Sequence, residues 1–581
     1  MRPLTNGASA CLFALTLVAV LFVFRPWEPH FAHANQSAPP APALTGRVLD
    51  PQNQPVRGAE ITVYVNNDEF EELDAESQGD GSFMVTLNAL PDTPFESLRL
   101  EILRSHFAPQ SWTAGPRELA ALRDGQSVHV PDIALERQVT AGFWVATAVF
   151  VAMLFIIALE RLHNTMASLL SMAVIFGVSF VGGALTHDLF IFDFERSLEY
   201  VDFNVIFLLL GMMVVIGITE ETGIFQWLAY QAYRISRGRA ALLVIILMSI
   251  TAVASALLDN VTTMLLMAPI TLQIAIALDI DPLSLLLPEV MASNIGGIST
   301  LIGTPTNILI GSYAGIGFSG FLVNLTPGVL LALAALVGYV LLRYRKQYQG
   351  AGSDLSPALL KRLEEGGRIR QPDSLRKAGV VFAAMMALFI FGEDFHLVPA
   401  VTALIGAAAL LLWVNPDIER MLKVVDWTTL MFFITLFIVI GAVQEVGLIG
   451  LIAGALKSAT GDSLLIGVLV LVWAAAILSG VIANIPFTAA MLPVAGFLTS
   501  TIPGAGNQVL FYGLSVGSAM GGNTSLIGAS ANLVTAGIAE RAGYPITFRR
   551  FVSVSLPAMV ITVAVGTLWL LIRFSLLIPG G

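Results

Sequence analysis

Charge is scarce in this sequence. Asp, Glu, Lys and Arg supply only 12% of its 581 residues, about half of the roughly 25% usual in soluble domains. That deficit excludes an ordinary water-facing globule. Cysteine is almost missing too: Cys11 stands alone inside an apolar run, so neither a disulfide framework nor a cysteine metal site can be built. The histidines are scattered without metal-ligand spacing, and no phosphate-binding loop occurs, which removes ATP-driven chemistry from the chain. No nucleophile–base–orienter set suggests an enzyme. Glu220, Glu221 and Glu445 sit near the ends of apolar runs, where they cap helices or face water. No cofactor and no nucleic-acid partner is expected.

Apolar residues are what the sequence has instead, at 56%. Runs of about 20 of them recur, the length that crosses a bilayer as helix. The expected fold class is therefore an all-α polytopic membrane protein, preceded by a small β-sandwich. Residues 8–24 form an apolar run read as a retained anchor, with Ala32-His33-Ala34 as the alternative cleavage site; segment 1–34 exports the β-sandwich either way. Residues 35–43 are a Pro-, Ala- and Ser-rich linker. Between 44 and 136 the period becomes two: Ala59, Ile61, Val63 and Val65 alternate with polar neighbours, as do Phe83, Val85 and Leu87, then Leu98, Leu100 and Ile102. Turn residues at 51–55 and 79–82 separate these strands. Gly46-Arg47-Val48 with Asp80-Gly81-Ser82-Phe83 resembles the carboxypeptidase-regulatory-like fold, and a plain spacer is the alternative reading.

Membrane spans are expected to begin near Gly142, Ser168, Asn204, Pro288, Pro327, Val380, Pro399, Thr428, Val509 and Ser553. The basic segment 343–377 is cytoplasmic by the positive-inside tendency and separates a first half, 139–342, from a second, 378–581. Residues 44–136 then fall on the periplasmic side of a bacterial inner membrane.

The two halves are related. Val201-Asp202-Phe203 and Val425-Asp426-Trp427 lie 224 residues apart, and the same spacing carries Glu221 onto Glu445, Ser255 onto Ser479, Asn260 onto Asn484 and Pro269 onto Pro493. One residue more carries Gly296-Gly297 onto Gly521-Gly522, Gly303 onto Gly528 and Asn307 onto Asn532. Five crossings separate corresponding points, so the second copy is inverted. Inverted repeats with a midplane site between them mark many secondary transporters.

Each copy is broken twice by polar residues. The first hairpin carries Ser255, Asp259, Asn260, Thr262 and Thr263 between Leu-rich arms, which suits Na⁺ at Asp259 and Asn260, or exchange of H⁺ on the carboxylate. Its counterpart carries Ser479, Asn484 and Thr488. The second break runs through Asn294, Gly296, Gly297, Thr300, Gly303, Thr304 and Asn307. It is answered by Gly521, Gly522, Asn523, Thr524, Ser525, Gly528, Ser530 and Asn532. Glycine and proline here unwind a helix and free its backbone groups. The restarting helix aims its positive end at a ligand. The alternatives are a solvated loop at Asp259 and glycines that merely let helices pack.

With Ala256 through Leu266, Glu289-Val290, Asn294-Ile295-Gly296-Gly297 and Leu526 through Asn532, residues 140–580 resemble the ion transporter superfamily. That superfamily takes in citrate-transporter-like carriers, arsenite permeases, D-type sodium/proton antiporters and the P protein. The resemblance implies a scaffold and a mobile transport unit, elevator-type alternating access and a homodimer. It also implies paired hairpin tips as the ion and substrate site. Two departures are visible: Asp259 stands where carboxylate carriers place serine, and Ala483 stands where P-protein relatives place aspartate. The expected function is ion-coupled secondary transport with Na⁺ or H⁺. The alternatives are an anion permease for a carboxylate, arsenite or chloride, and a membrane sensor with an inert transport core.

Overall fold

The computed structural model describes residues 42–51, 55–70, 73–87, 96–159, 161–237, 239–349, 364–365 and 367–576. The expected anchor 1–34, the linker 35–43 up to residue 41 and the centre of the 343–377 loop lie outside the described residues.

Strand periodicity gives a two-layer β domain. Ala43–Leu49 (β1) pairs antiparallel with Ser82–Thr86, with Leu44 opposite Val85, and takes short parallel partners at Val128–His129 and Ile133–Ala134. Glu60–Val65 pairs antiparallel with Leu98–Leu103, which in turn pairs with Gln110–Thr113. Ile61, Val63, Phe83, Val85, Leu98, Leu100 and Ile102 fill the space between the sheets. Asp80 Oδ1 closes the hairpin turn by accepting from Ser82 N (3.0 Å) and Ser82 Oγ (2.6 Å).

Below this domain the chain is helical, and nine of the described helices are long and apolar enough to cross a membrane. The first half comprises Ala141–Ala158 (α1), Asn164–Phe176 (α2), Phe194–Glu199 (α3), Phe203–Glu221 (α4), Ile224–Ser236 (α5), Ala240–Leu257 (α6), Asn260–Ala277 (α7), Leu283–Gly296 (α8), Pro305–Ala314 (α9) and Phe318–Arg343 (α10). The second comprises Pro372–Phe391 (α11), Pro399–Val414 (α12), Ile418–Val424 (α13), Trp427–Glu445 (α14), Leu448–Thr460 (α15), Leu464–Ser479 (α16), Asn484–Thr501 (α17), Val509–Gly521 (α18), Ser530–Arg541 (α19) and Phe548–Arg573 (α20). Each helix has its partner ten labels on. Four expected span starts move: Pro288, Pro327, Val380 and Ser553 lie inside α8, α10, α11 and α20 rather than at their beginnings. In a bundle, neighbouring helices satisfy the carbonyl that an internal proline frees.

The halves are interlocked rather than side by side. Helix α2 packs on α14, and α12 on α4. Glycine makes the contacts between halves close: a Cβ on Gly211 would lie 2.7 Å from Ala403 C of α12, one on Gly217 2.4 Å from Val424 Cγ1 of α13, and one on Gly441 2.4 Å from Cγ of Tyr200, which follows α3. The short helix before each α4-type helix reaches across to the other repeat. Arg196 of α3 pairs with Glu445 of α14 (2.8 Å), and Arg420 of α13 pairs with Glu221 of α4 (2.9 Å). These two ion pairs are symmetry mates at opposite ends of the bundle. Beside the first, Gly447 packs on Arg137 of the β-domain end; beside the second, Gly223 packs on Arg368 and Arg370 of the basic segment. The second repeat is thus inverted against the first.

Glu445 differs from expectation, being buried rather than a cap or a water-facing residue. Arg104 and Arg196 both bond its carboxylate (2.6 and 2.8 Å), and Arg137 Nη1 donates to its backbone oxygen (3.1 Å). Arg104 lies within the β domain and Arg137 just past its last strand, so this carboxylate fastens that domain to α14. His106 adds a second fastening: its ring nitrogens meet Thr140 Oγ1 (2.9 Å) and the Ile191 carbonyl (3.2 Å). Burial holds the His106 imidazole below its ordinary range. Burial, together with Glu445, pushes the Tyr200 phenol up.

Candidate functional site

Helices α6 and α7 form a hairpin whose arms meet at Leu258-Asp259, and α16 and α17 form its mate at Gly480–Ala483. Helix α8 stops at Gly296 and resumes as α9 at Pro305; α18 stops at Gly521 and resumes as α19 at Ser530. Both breaks expected from the sequence are therefore present, at the expected residues.

The breaks are built alike. A Cβ on Gly296 would lie 2.3 Å from the Ala252 carbonyl, and one on Gly521 2.4 Å from Ala476 Cα, so each broken helix presses directly on a hairpin arm. Gly297 and Gly303 face each other backbone to backbone, as do Gly522 and Gly528; a Cβ on Gly303 would stand 2.4 Å from the Gly297 oxygen. Thr300 Oγ1 donates to the Ala256 carbonyl and accepts from Gly303 N (3.1 Å). Ser525 Oγ does the same for Gly480 (2.6 Å) and Gly528 N (3.2 Å). Asn307 Nδ2 donates to the Ile298 and Thr300 carbonyls (3.0 and 2.8 Å); Asn532 Nδ2 donates to those of Gly522 and Ser525 (2.9 and 2.8 Å). These amides take up the carbonyls that unwinding exposes, as buried backbone requires.

One group breaks the symmetry. Asn294 accepts from Asn260 Nδ2 (2.7 Å), and its own Nδ2 donates to Asn523 Oδ1 (2.8 Å) and Asn532 Oδ1 (3.0 Å). A hairpin tip and a broken helix of one repeat are thereby joined to the broken helix of the other. The residue corresponding to Asn294 is Ala519, so this bridge exists in one direction only.

Asp259 is half-buried and engaged within its own hairpin: Oδ1 caps α7 through Thr262 N (2.8 Å), and Thr262 Oγ1 donates to Oδ2 (2.5 Å). Thr263 returns to the Asp259 carbonyl (2.8 Å), Thr304 meets Thr306 (3.1 Å), Ser479 donates to the Ser518 carbonyl (2.6 Å), and Asn484 N donates to the Gly528 carbonyl (3.1 Å). The hydroxyls of Ser255, Thr488 and Thr524 are buried with no hydrogen-bond partner among the described residues. Ser530 begins α19. Ser515, which donates to Asn307 Oδ1 (2.5 Å), escapes the sequence reading because it lies mid-helix in an apolar stretch with no break to mark it.

Electrostatically the centre is nearly bare. Segments 255–263, 294–307, 479–488 and 515–532 contain no Lys, Arg or His, and Asp259 is their only formal charge. Positive potential comes instead from the N-termini of α7, α9, α17 and α19. Among the described residues no three His, Cys, Asp or Glu gather as a metal site. Amide, hydroxyl and carbonyl oxygens around one carboxylate can replace the water shell of a hard monovalent cation.

Two cavities flank the hairpins as symmetry mates. One of about 770 Å³ lies between α15, the outer part of α17 and the β domain, lined by Arg137, Phe143, Gly447, Pro493 and Phe497. Another of about 350 Å³ lies between α5 and α7, lined by Glu220, Tyr230, Pro269, Gln273 and Arg370.

Broken helices and paired hairpins in interlocked inverted repeats define a multi-pass membrane transporter. Residues 152–506 match the family model described as citrate transporter (CitMHS), and the chain belongs to that family. It is 36% identical to an uncharacterized transporter of Mycobacterium tuberculosis over 435 residues, covering 75% of this chain and 99% of that protein. It is also 35% identical to the P protein of Homo sapiens over 520 residues, covering 75% of this chain and 60% of that one. Among solved structures, the YdaH transporter of Alcanivorax borkumensis shares the fold, with TM-score 0.50 at 13% identity over 71% of this chain and 99% of that one.

Proposed function

We propose that this protein is an ion-coupled secondary transporter of a bacterial inner membrane, using Na⁺ or H⁺ and moving its site by an elevator-type step. The observation that carries this reading is the amide bridge at Asn294, which gathers Asn260, Asn523 and Asn532 from two repeats at two unwound crossings. Asp259 and Asn260, adjacent at one hairpin tip, supply the cation or proton end of the site. Hairpins and broken helices (α6–α10 and α16–α20) form the moving unit, and α1–α4 with α11–α14 form the scaffold. Gly223 and Gly447 (φ 81° and 93°) join scaffold to the amphipathic arms α5 and α15 in a conformation glycine adopts freely. The assembly is a homodimer through the scaffold. The β domain sits on the periplasmic side, where the 770 Å³ cavity forms the outer vestibule.

Flux into proteoliposomes tests the reading. Sodium or proton movement is expected in the wild type and is lost in Asp259→Asn; undiminished pH-dependent Na⁺ movement in that variant rejects Asp259 as the coupling group. A second reading, an anion permease, is favoured by the four helix N-termini around a site without basic side chains. Its substrate would be small, because nothing here offers the paired cations that a polycarboxylate calls for. Thermal stabilisation by sodium, citrate, succinate, chloride or arsenite separates the two.

A further inference from the structure

Glu289 lies in the middle of α8, two helical turns from the unwound segment, and is fully buried. Its Oε1 accepts from Thr251 Oγ1 of α6 (2.8 Å). Thr271 of α7 lies against the same carboxylate, yet Glu289 Oε2 and Thr271 Oγ1 each lack a hydrogen-bond partner among the described residues. Among the described residues no Lys, Arg or His bonds this carboxylate. The helices packed on α8 carry their charges only at their ends: Arg343 on α10, Glu540 and Arg541 on α19, and Arg549, Arg550 and Arg573 on α20. Asp259, which caps α7, is tied to Thr262, and Tyr339 and Tyr512 bond the Val554 carbonyl and Asn324.

The second repeat shows that the fold does not need this trio. The positions corresponding to Thr251, Thr271 and Glu289 are Ala475, Ala495 and Leu514, all fully buried. Two Ala and a Leu therefore fill the same packing site in the inverted copy. A carboxylate kept without a cationic partner, where apolar side chains serve equally well, is there for its chemistry.

We propose that Glu289, held between Thr251 and Thr271, is a proton-binding site of the first repeat, distinct from the hairpin-tip group at Asp259. A proton arriving from hydronium forms an O–H bond at Oε2 and leaves water; its release reverses this, and no other bond changes. Hydroxyls suit both states. Thr271, whose hydroxyl is unpartnered beside Oε2, would accept from the acid or donate to the carboxylate on a small approach by rotating its own hydrogen, while Thr251 keeps donating to Oε1. The single-copy trio makes the proton step asymmetric in a symmetric scaffold. Its use in transport rests on the ion-coupled reading above; its existence as a site does not.

Infrared difference spectroscopy on the purified full chain, stepped between about pH 5 and pH 9, tests the site without any transported ligand. The wild type is expected to gain a carboxylic-acid carbonyl band at the acid end and lose it at the alkaline end. Asp259→Asn keeps that band. Glu289→Gln abolishes it while melting at the wild-type temperature. The triple replacement Thr251→Ala, Thr271→Ala, Glu289→Leu, which copies the second repeat, also folds without the band. A band that survives in Glu289→Gln, or is absent from the wild type at every pH, overturns the proposal. In vesicles with an imposed sodium gradient and pyranine inside, Glu289→Gln is expected to reduce proton movement at least tenfold. Wild-type vesicles that move neither sodium nor protons, in a protein whose Glu289 band titrates, would defeat the transport reading and leave the proton site standing.

Discussion

Asn294 shows how much one side chain can hold in a neutral site. Its amide joins Asn260 to the pair Asn523 and Asn532. Asn294→Ala orphans buried amide groups at about 1–3 kcal/mol each, so stabilisation by the bound ion or anion is expected to vanish while the helices still form; circular dichroism and a thermal-shift screen check both. Asn294→Asp, with similar shape but a charge, is expected to bind sodium and repel anions if the cation reading holds. His106 gives a pH dependence. Its imidazole is held neutral by burial, so the unfolded chain takes up a proton there more readily than the folded one. That contribution to stability is fully present above the ordinary imidazole range near pH 6.5 and is lost as the pH falls below it. Melting followed from pH 8 to about pH 5 should show this loss in the wild type, and less of it in His106→Asn. Much at this scale was readable in advance. Asn260, Asn307 and Asn532 stand in sequence beside glycine, proline or hydroxyl residues that announce a break. Glu289 follows Pro288 and Ser515 lies between Gly513 and Gly517, but each sits inside an unbroken helix, and only the packing of α6, α7 and α9 shows what faces it.

Among elements, the two Arg–Glu ties allow a controlled comparison. Arg196 and Arg420 stand at corresponding positions and make the same cross-repeat bond, but their surroundings differ. Glu445 is 6% exposed and shared by two arginines at 14% and 17%, whereas the Glu221 tie is to an Arg420 that is 69% exposed. Breaking a buried pair costs about 3–5 kcal/mol; breaking an exposed one costs about 0–1 kcal/mol. Glu445→Gln should lower the melting temperature markedly and speed protease cutting between β domain and bundle, and Glu221→Gln should do little. Equal effects of the two would contradict the burial argument. Repeat spacing placed the two glutamates in register, but it could not show their partners. Those come from α3 and α13, short helices whose crossing to the opposite repeat has no period to reveal it. Glu60–Val65, Ser82–Thr86 and Leu98–Leu103 were legible because each has one dry face, whereas Gln110–Thr113, with no buried residue, was not; the anomalous proline positions in α8 and α10 were not legible either, since bundle neighbours override a local helix breaker.

For the whole molecule, the proposed division into scaffold and moving unit makes a mechanical prediction. Ser319 at the start of α10 bonds Glu393 in the turn that follows α11 (3.0 Å), across that division. Because Cys11 is the only cysteine, Cys11→Ser gives a clean background for Ser319→Cys with Glu393→Cys. Bridging the pair with a short bifunctional maleimide should stop flux without lowering ligand-induced stabilisation; unchanged flux in fully bridged protein argues that these helices do not part. The repeat itself was visible from spacing, since Asp, Asn, Gly and Pro keep step over about a hundred residues, and its inversion from the odd number of crossings between corresponding points. Interlocking was not, because spacing records which residues correspond and says nothing of which helices touch.

The β domain's attachment also fixes its frame of reference. Arg104 and Arg137 grip the end of α14, which belongs to the part proposed to stay still, so the cap would keep a constant height above the lipid while the hairpins travel past it. A dye on the cap and another on the scaffold should hold one separation through the cycle, and a dye on a hairpin tip should not. Anything the cap captures would therefore be delivered to a stationary doorway, not carried on the car.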